Sequence, residues 1–122
     1  MVVVIAEDFD DVRELYEQWF NDGGFDVVSV GTGIDAVAAA ESRPVDAFVM
    51  DLQMPKMDGW EAIGRIRAIV GARPYILAVS AHIQSDASRK TAYEAGADDL
   101  VAKPIEPEVL VTIVRAALRT RT

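Results

Sequence analysis

Residues 45–61 read VDAFVMDLQMPKMDGWE and contain the pattern that decides the fold. Residues 45–50 are apolar apart from one acid, which indicates a strand buried on both faces of a sheet. The strand ends on Asp51, and a loop containing Pro55 and Gly59 then leads into an amphipathic helix. A buried strand, a short loop and a helix in this order are typical of a parallel α/β sheet.

The same alternation continues in both directions along the chain. Further strands are predicted at 2–6, 25–30, 75–79 and 100–102, and the segments between them carry apolar residues at helical spacing. Trp19 is expected in the core, and the fourth helix should run from about residue 85 and stop at Gly96. Alternating strands and helices imply right-handed crossovers and a parallel sheet covered by helices on both sides. We predict one α/β domain over residues 1–122 with five strands.

Composition narrows the class of protein. The chain has 122 residues, 51% of them hydrophobic, which suits one globular domain. The absence of cysteine excludes disulfides and thiolate metal sites. A net charge of -8 disfavours binding to nucleic acid. No stretch approaches the roughly 18 apolar residues of a membrane span, and acids directly follow the apolar start, unlike in a signal peptide. We expect a cytoplasmic protein that contacts neither nucleic acid nor membrane.

Polar side chains follow four of the predicted strands. Glu7 and Asp8 follow the first strand, Asp51 ends the third, Ser80 follows the fourth and Lys103 follows the fifth. Ligands of open parallel sheets bind beyond the carboxyl ends of the strands. Two carboxylates about 4 Å apart repel by about 4 kcal/mol at an effective dielectric constant near 20, so such a cluster requires a cation. Lys103 can provide one positive charge and a hard divalent ion such as Mg²⁺ the rest.

This edge of the sheet could carry out phosphoryl transfer. A carboxylate can act as a nucleophile on phosphorus, as in aspartyl-phosphate enzymes. The metal and Lys103 would neutralise the transferring oxygens, and Ser80 could donate a hydrogen bond to one of them. The positions alone make this chemistry plausible.

Four segments together carry a resemblance to a known family. Singly each is a weak signal, but their order and their positions at strand ends are highly specific: Glu7-Asp8, DLQMPKMDGWE at 51–61, Ser80-Ala81 and Lys103-Pro104. Over essentially its whole length the chain resembles the receiver domain of bacterial two-component response regulators. The resemblance implies a flavodoxin-like, three-layer fold of five βα units with strand order 2-1-3-4-5.

The resemblance also implies roles at the site. Asp51 would be the phosphoacceptor, and Asp8 and Asp51 would bind Mg²⁺ (or Mn²⁺ as a substitute) together with the backbone carbonyl of Gln53. Glu7 would reach the metal largely through water. Lys103 would pair with Asp51 or its phosphoryl group, and the peptide bond that follows Lys103 would be cis.

Other positions concern the response to phosphorylation. Ser80 would move toward the phosphoryl group and start the conformational change. Three residues before the lysine the family commonly has Tyr or Phe, but this chain has Leu100. We expect phosphorylation to be retained. Leu100 lacks the aromatic ring that usually swings inward when the hydroxyl residue moves, so the sequence leaves open how this movement is coupled to the active state. Gln53 and His82 occupy positions that similar domains use to tune the dephosphorylation rate.

The implied partners are a histidine kinase or histidine phosphotransfer protein as donor and an unknown downstream protein or output domain. Phosphorylation could also drive formation of a homodimer. Catalysis would be limited to self-phosphorylation and autodephosphorylation. The main alternative is a receiver-like module that binds proteins without phosphorylation, although such a module would be expected to have lost an acid or the lysine.

The residues also allow simpler or different interpretations. A phosphatase with an aspartate nucleophile would need a second acid where Gln53 stands, and a nucleotide binder would need a glycine-rich phosphate motif that the chain lacks. Glu7 and Asp8 could instead simply cap the first helix. His82, the sole histidine, is more simply a solvent-facing side chain than part of a zinc site.

Overall fold

The structure is a computed structural model that describes residues 1–54, 56–81 and 86–121. Strands and helices alternate along the described chain, as the sequence predicts. The strands are β1 (Val2–Ala6), β2 (Asp26–Val30), β3 (Ala47–Asp51), β4 (Tyr75–Ser80) and β5 (Asp99–Ala102). The helices are α1 (Asp10–Asp22), α2 (Gly33–Ser42), α3 (Gly59–Val70), α4 (Asp86–Ala95) and α5 (Pro107–Thr120).

The sheet is parallel, with the strand order β2-β1-β3-β4-β5. This is the flavodoxin-like order that the family resemblance implies. Ala6 of β1 lies beside Met50 of β3, and Asp51 lies beside Val79 of β4. The carboxyl ends of these strands therefore meet along one edge of the sheet, which we call the carboxyl edge.

Two layers of helices cover the sheet. Successive side chains of a strand point to opposite faces, so β1, β3 and β4 each contribute to both cores. On one face Phe48 and Ile76 pack with residues of α2, α3 and α4, and Ile63 is among those of α3. On the other face Val49 packs with α1 and α5, where Phe20 is fully buried. Apolar burial on both faces explains why the central strands read as continuous apolar runs.

The expectation that Trp19 lies in the core is wrong. Its exposed fraction is 41%, whereas Tyr16 and Phe20 on the same helix are 5% and 0% exposed. A helix on the surface of a sheet buries only one stripe of its circumference. The stripe of α1 passes through Tyr16 and Phe20, and Trp19 lies at its margin beside α5.

Local signals account for several of the helix ends. The Thr32 hydroxyl accepts the N–H of Asp35 at the start of α2, and the Asp58 carboxylate accepts the N–H of Glu61 at the start of α3. Helix α4 ends before Gly96, whose φ of 116° requires glycine. Within the described ranges, no helix combines the length and apolar character needed to cross a membrane.

Candidate functional site

Three carboxylates converge at the carboxyl edge. Glu7, Asp8 and Asp51 each place one oxygen so that the three atoms lie within 4.8 Å of one another. The strand register explains this, because Glu7 follows Ala6 and Asp51 follows Met50 on the neighbouring strand. Glu7 and Asp51 are only 1% and 4% exposed, so their charges are largely removed from water.

Lys103 reaches this cluster from the far side of β4. Its Nζ donates to Glu7 Oε2 at 2.8 Å and to Asp51 Oδ2 at 3.0 Å. The backbone N–H of Lys103 donates to the carbonyl of Ser80 at 2.9 Å, which fixes the start of the side chain. The peptide bond between Lys103 and Pro104 is cis, as the family resemblance implies.

The cluster holds more negative than positive charge. Burial raises the pKa of Glu7 to about 7, and a hydrogen bond to Asp51 adds to this, while Lys103 opposes it. Burial alone would lower the pKa of Lys103, but its hydrogen bonds to Glu7 and Asp51 outweigh burial and raise it. The lysine therefore stays charged, and one cation faces three acids.

The donor set fits a hard divalent cation. Asp8 Oδ1 is buried and has no hydrogen-bond partner among the described residues, which is costly unless a ligand completes it. Asp51 Oδ1 accepts the backbone N–H of Gln53 at 3.0 Å, so the Asp51 carboxylate is held on both sides. All available ligand atoms are oxygens, the atoms that Mg²⁺ prefers.

Helix capping does not account for the acid pair. The N-cap residue of α1 is Phe9, and no side chain makes a capping hydrogen bond there. Glu7 Oε1 approaches the N–H of Phe9 only at 3.4 Å, which is long for such a bond. The positions of Glu7 and Asp8 are better explained by the cluster than by the helix.

The remaining predicted residues lie in different places. Ser80 is the buried last residue of β4, one position beyond Val79, the register partner of Asp51. Leu100 is 4% exposed and packs in the core on the side of the sheet that α2, α3 and α4 cover. His82 lies outside the described residues.

Two residues near the site are not among those that the sequence predicts. Arg13 donates from Nη1 to the carbonyl of Glu7 at 3.0 Å. Tyr16 is buried, and burial raises the pKa of its hydroxyl. The charges of Lys103, Glu7 and Asp51 also act on this hydroxyl. An arginine in the first turns of the helix that follows an acid pair is the signal that could have pointed to Arg13.

Comparison with known proteins identifies the family. The family profile of the response regulator receiver domain matches residues 3–115. The chain belongs to this family. Receiver domains are the phosphoacceptor domains of two-component systems.

Curated relatives of this receiver domain are longer than it is. PrrA, a transcriptional regulatory protein of Mycobacterium tuberculosis, is 37% identical over 120 residues, which cover 98% of this chain and 50% of PrrA. A cyclic di-GMP phosphodiesterase of Thermotoga maritima is 35% identical over 121 residues, which cover 99% of this chain and 32% of the relative. The chain thus spans half of one relative and a third of the other.

Solved structures share the fold. The receiver domain of a sensor histidine kinase from Pseudomonas aeruginosa superposes with a TM-score of 0.85 at 32% identity, covering 97% of both chains. That structure contains a magnesium ion coordinated in its active-site cleft. The receiver domain of a Francisella response regulator has a TM-score of 0.90 at 21% identity and covers 99% of this chain and 98% of its own, which supports the fold alone.

Proposed function

We propose that residues 1–122 act as one receiver domain that takes a phosphoryl group on Asp51 in a Mg²⁺-dependent reaction. The donor is a histidine kinase or a histidine phosphotransfer protein in the cytoplasm. One observation carries the proposal: buried Asp51 is bound by Lys103, beside an Asp8 oxygen that lacks any partner in the described chain. A magnesium ion in the cleft of the Pseudomonas aeruginosa receiver domain supports the choice of metal.

The chain's own groups prepare Asp51 for attack. The N–H of Gln53 and the Nζ of Lys103 hold its two carboxylate oxygens, which orients the nucleophile. One carboxylate oxygen forms a bond to phosphorus while the bond from phosphorus to the donor nitrogen breaks, and the histidine leaves with its electron pair. Lys103 and the Ser80 hydroxyl stabilise the phosphoryl oxygens. When bound, Mg²⁺ neutralises further charge on these oxygens.

The family resemblance supplies the proposed metal ligands. Asp8 and Asp51 would hold Mg²⁺ directly together with the backbone carbonyl of Gln53, and Glu7 would act largely through water. Mn²⁺ has the same preference for oxygen ligands and substitutes for Mg²⁺. Hydrolysis of the aspartyl phosphate at the same site returns the domain to its resting state, at a rate tuned by Gln53 and His82.

Phosphorylation shifts the population of two conformations. Ser80 moves toward the phosphoryl group, and Leu100 repacks in the core beside α4. Because Leu100 is aliphatic, the change alters packing without the swing of an aromatic ring. The altered face, formed by α4, β5 and α5, then binds a downstream protein or output domain, or a second copy of the chain.

The second candidate is a receiver-like module that binds its partner without phosphorylation. Leu100 favours it, because the residue that usually reports the active state is replaced. Retention of all three acids and Lys103 at the carboxyl edge favours the phosphoacceptor.

The intact mass of the protein distinguishes the two candidates. Wild type incubated with Mg²⁺ and a small acyl phosphate should gain one phosphoryl group, and Asp51→Asn should gain none. Chelating the metal should abolish the gain. Wild type that is folded, by circular dichroism, and stays unmodified would favour the phosphorylation-independent module.

A further inference from the structure

The ladder between β1 and β2 ends at the turn that carries Glu7 and Asp8. Glu7 donates its N–H to the carbonyl of Val30 at 3.0 Å, and the paired register stops at Ala6 and Val30. In a parallel ladder the next bond would run from the N–H of Thr32 to the carbonyl of Glu7. Thr32 is instead the N-cap residue of α2, where the chain turns away. The carbonyl that precedes Asp8 therefore needs another donor.

Arg13 provides that donor. Its Nη1 donates to the Glu7 carbonyl at 3.0 Å, and its Nη2 pairs with Asp10 Oδ1 at 2.5 Å. The backbone N–H of Arg13 also donates to the carbonyl of Phe9 at 2.9 Å. A planar guanidinium held at two points fixes the direction of both bonds, which a single ammonium group does not. Arg13 is 22% exposed, so its bond to the carbonyl is partly shielded from water.

Gly31 leaves space for this contact from the neighbouring strand. A Cβ atom at Gly31 would lie 3.2 Å from Arg13 Nη1 and 4.0 Å from the carbonyl oxygen of Glu7. A contact of 3.2 Å is tighter than most Cβ contacts, so any larger residue would press on the guanidinium. Arg13 of α1 and Gly31, the residue directly after β2, thus lie side by side near this backbone carbonyl.

We propose that Arg13 is a positioning residue that holds the turn at Glu7 in the conformation that presents Asp8 to a divalent cation. The inference rests on the metal-binding part of the proposed function. Arg13 contacts the backbone of Glu7 and leaves the carboxylates of Glu7 and Asp8 to the cation and Lys103. Rotation of the peptide after Glu7 would swing Asp8 directly, because the two residues are adjacent. Arg13 stabilises the turn without competing for the metal ligands.

The test measures divalent-cation affinity. The free-ion electron paramagnetic resonance signal of Mn²⁺ gives its dissociation constant, and competition gives that of Mg²⁺. Arg13→Ala should weaken both by about tenfold, the lower end of the effect of groups that orient metal ligands. Arg13→Lys should recover part of the loss, because an ammonium group can donate to the carbonyl but lacks the two separate, rigidly oriented nitrogen donors of the guanidinium. Gly31→Ala should weaken binding severalfold while Arg13 is still present.

Arg115→Ala is the matched control. Arg115 also donates from its guanidinium to a backbone carbonyl, that of Gly23 at 2.7 Å, but far from the carboxyl edge. Its loss should lower the melting temperature and leave the dissociation constants unchanged at a temperature where every variant is folded. A merely structural role of Arg13 would give the same pattern as Arg115.

The outcomes separate this inference from the phosphoacceptor proposal. Equal dissociation constants for wild type, Arg13→Ala and Gly31→Ala would overturn the inference and leave the phosphoacceptor proposal standing. Weakened binding in Arg13→Ala, with a wild type that binds metal but gains no phosphoryl group, would support the inference and overturn the phosphoacceptor. A folded wild type that binds no divalent cation would overturn both.

Discussion

The two ends of the sheet differ in how completely their charged groups are paired. At the amino edge, where the strands begin, Arg67 pairs with Asp98 at 2.8 Å and donates to the carbonyl of Gly96 at 2.8 Å. Asp98 also accepts the N–H of Ile76 at 2.8 Å and pairs with Arg121 at 2.9 Å. Every charge in this network faces an opposite charge or a backbone dipole.

The carboxyl edge is left incomplete. Lys103 pairs with two of the three carboxylates, the pKa of Glu7 is raised, and an oxygen of Asp8 has no partner in the described chain. Unpaired buried charge costs stability, so a fold keeps it where a ligand restores the balance. The amino edge is therefore expected to contribute to stability, whereas the carboxyl edge is expected to bind a cation.

The largest expected effect is at the carboxyl edge. Asp8→Asn removes the charge of the carboxylate that lacks a partner, so the affinity for Mg²⁺ should fall by at least about 100-fold. The free energy of unfolding without metal should stay the same or rise, because repulsion within the cluster is reduced. Mn²⁺ competition and urea denaturation in a chelator measure the two quantities. Undiminished affinity would show that Asp8 is not a ligand.

The opposite pattern is expected at the amino edge. Arg67→Ala removes one of the positive charges that face Asp98, and it removes hydrogen bonds to three backbone carbonyls. Because Arg67 and Asp98 are partly exposed, the free energy of unfolding should fall by about 2–3 kcal/mol, less than for a fully buried pair. Affinity for Mg²⁺ should not change.

Arg65→Ala is the control for this network. Arg65 forms an exposed pair with Glu61 at 3.3 Å, so its loss should change stability by less than about 0.5 kcal/mol. A cost in Arg67→Ala no greater than in Arg65→Ala, measured by urea denaturation, would refute the contrast between the two edges.

The pH dependence of stability should reveal the raised pKa of Glu7. Since this pKa is about 7 in the fold and 4.5 ordinarily, the folded state binds the proton more tightly. Its stabilising contribution is full below about pH 4.5 and is lost as the pH rises toward 7. Metal-free wild type should therefore lose more stability over this range than Glu7→Gln, measured by urea denaturation. Identical pH profiles would show that Glu7 titrates normally.

A smaller effect than that of Arg67→Ala is expected at Tyr75. Its hydroxyl donates to Asp99 Oδ2 at 2.7 Å, and its ring lies 5.5 Å below the Arg121 guanidinium. Tyr75→Phe removes only the hydroxyl, so the free energy of unfolding should fall by about 1 kcal/mol. Thermal denaturation with and without Mg²⁺ should show the same decrease, because the residue lies at the amino edge.

Much of the fold could be predicted from local patterns. A strand that is buried on both faces is recognised by a short run of apolar residues. A helix end is recognised by a glycine or a capping residue, so both signals are local in the sequence. The exposure of Trp19 could not be predicted, because helical spacing does not reveal which neighbours of an apolar stripe a second helix covers. Strand β4 also ends one residue later than predicted, so Ser80 is its last residue.

The candidate site, like the fold, could be predicted only in part from the sequence. The sequence by itself determined which side chains stand at strand ends, because a strand and the acid that follows it are neighbours in the chain. Only the tertiary structure decided that Lys103 crosses the end of β4 to reach Glu7 and Asp51. It also decided that Arg13 replaces a missing ladder donor, and that Arg67 closes the amino edge. These contacts depend on strand order, register and side-chain reach, which join residues far apart in the sequence and leave no local pattern.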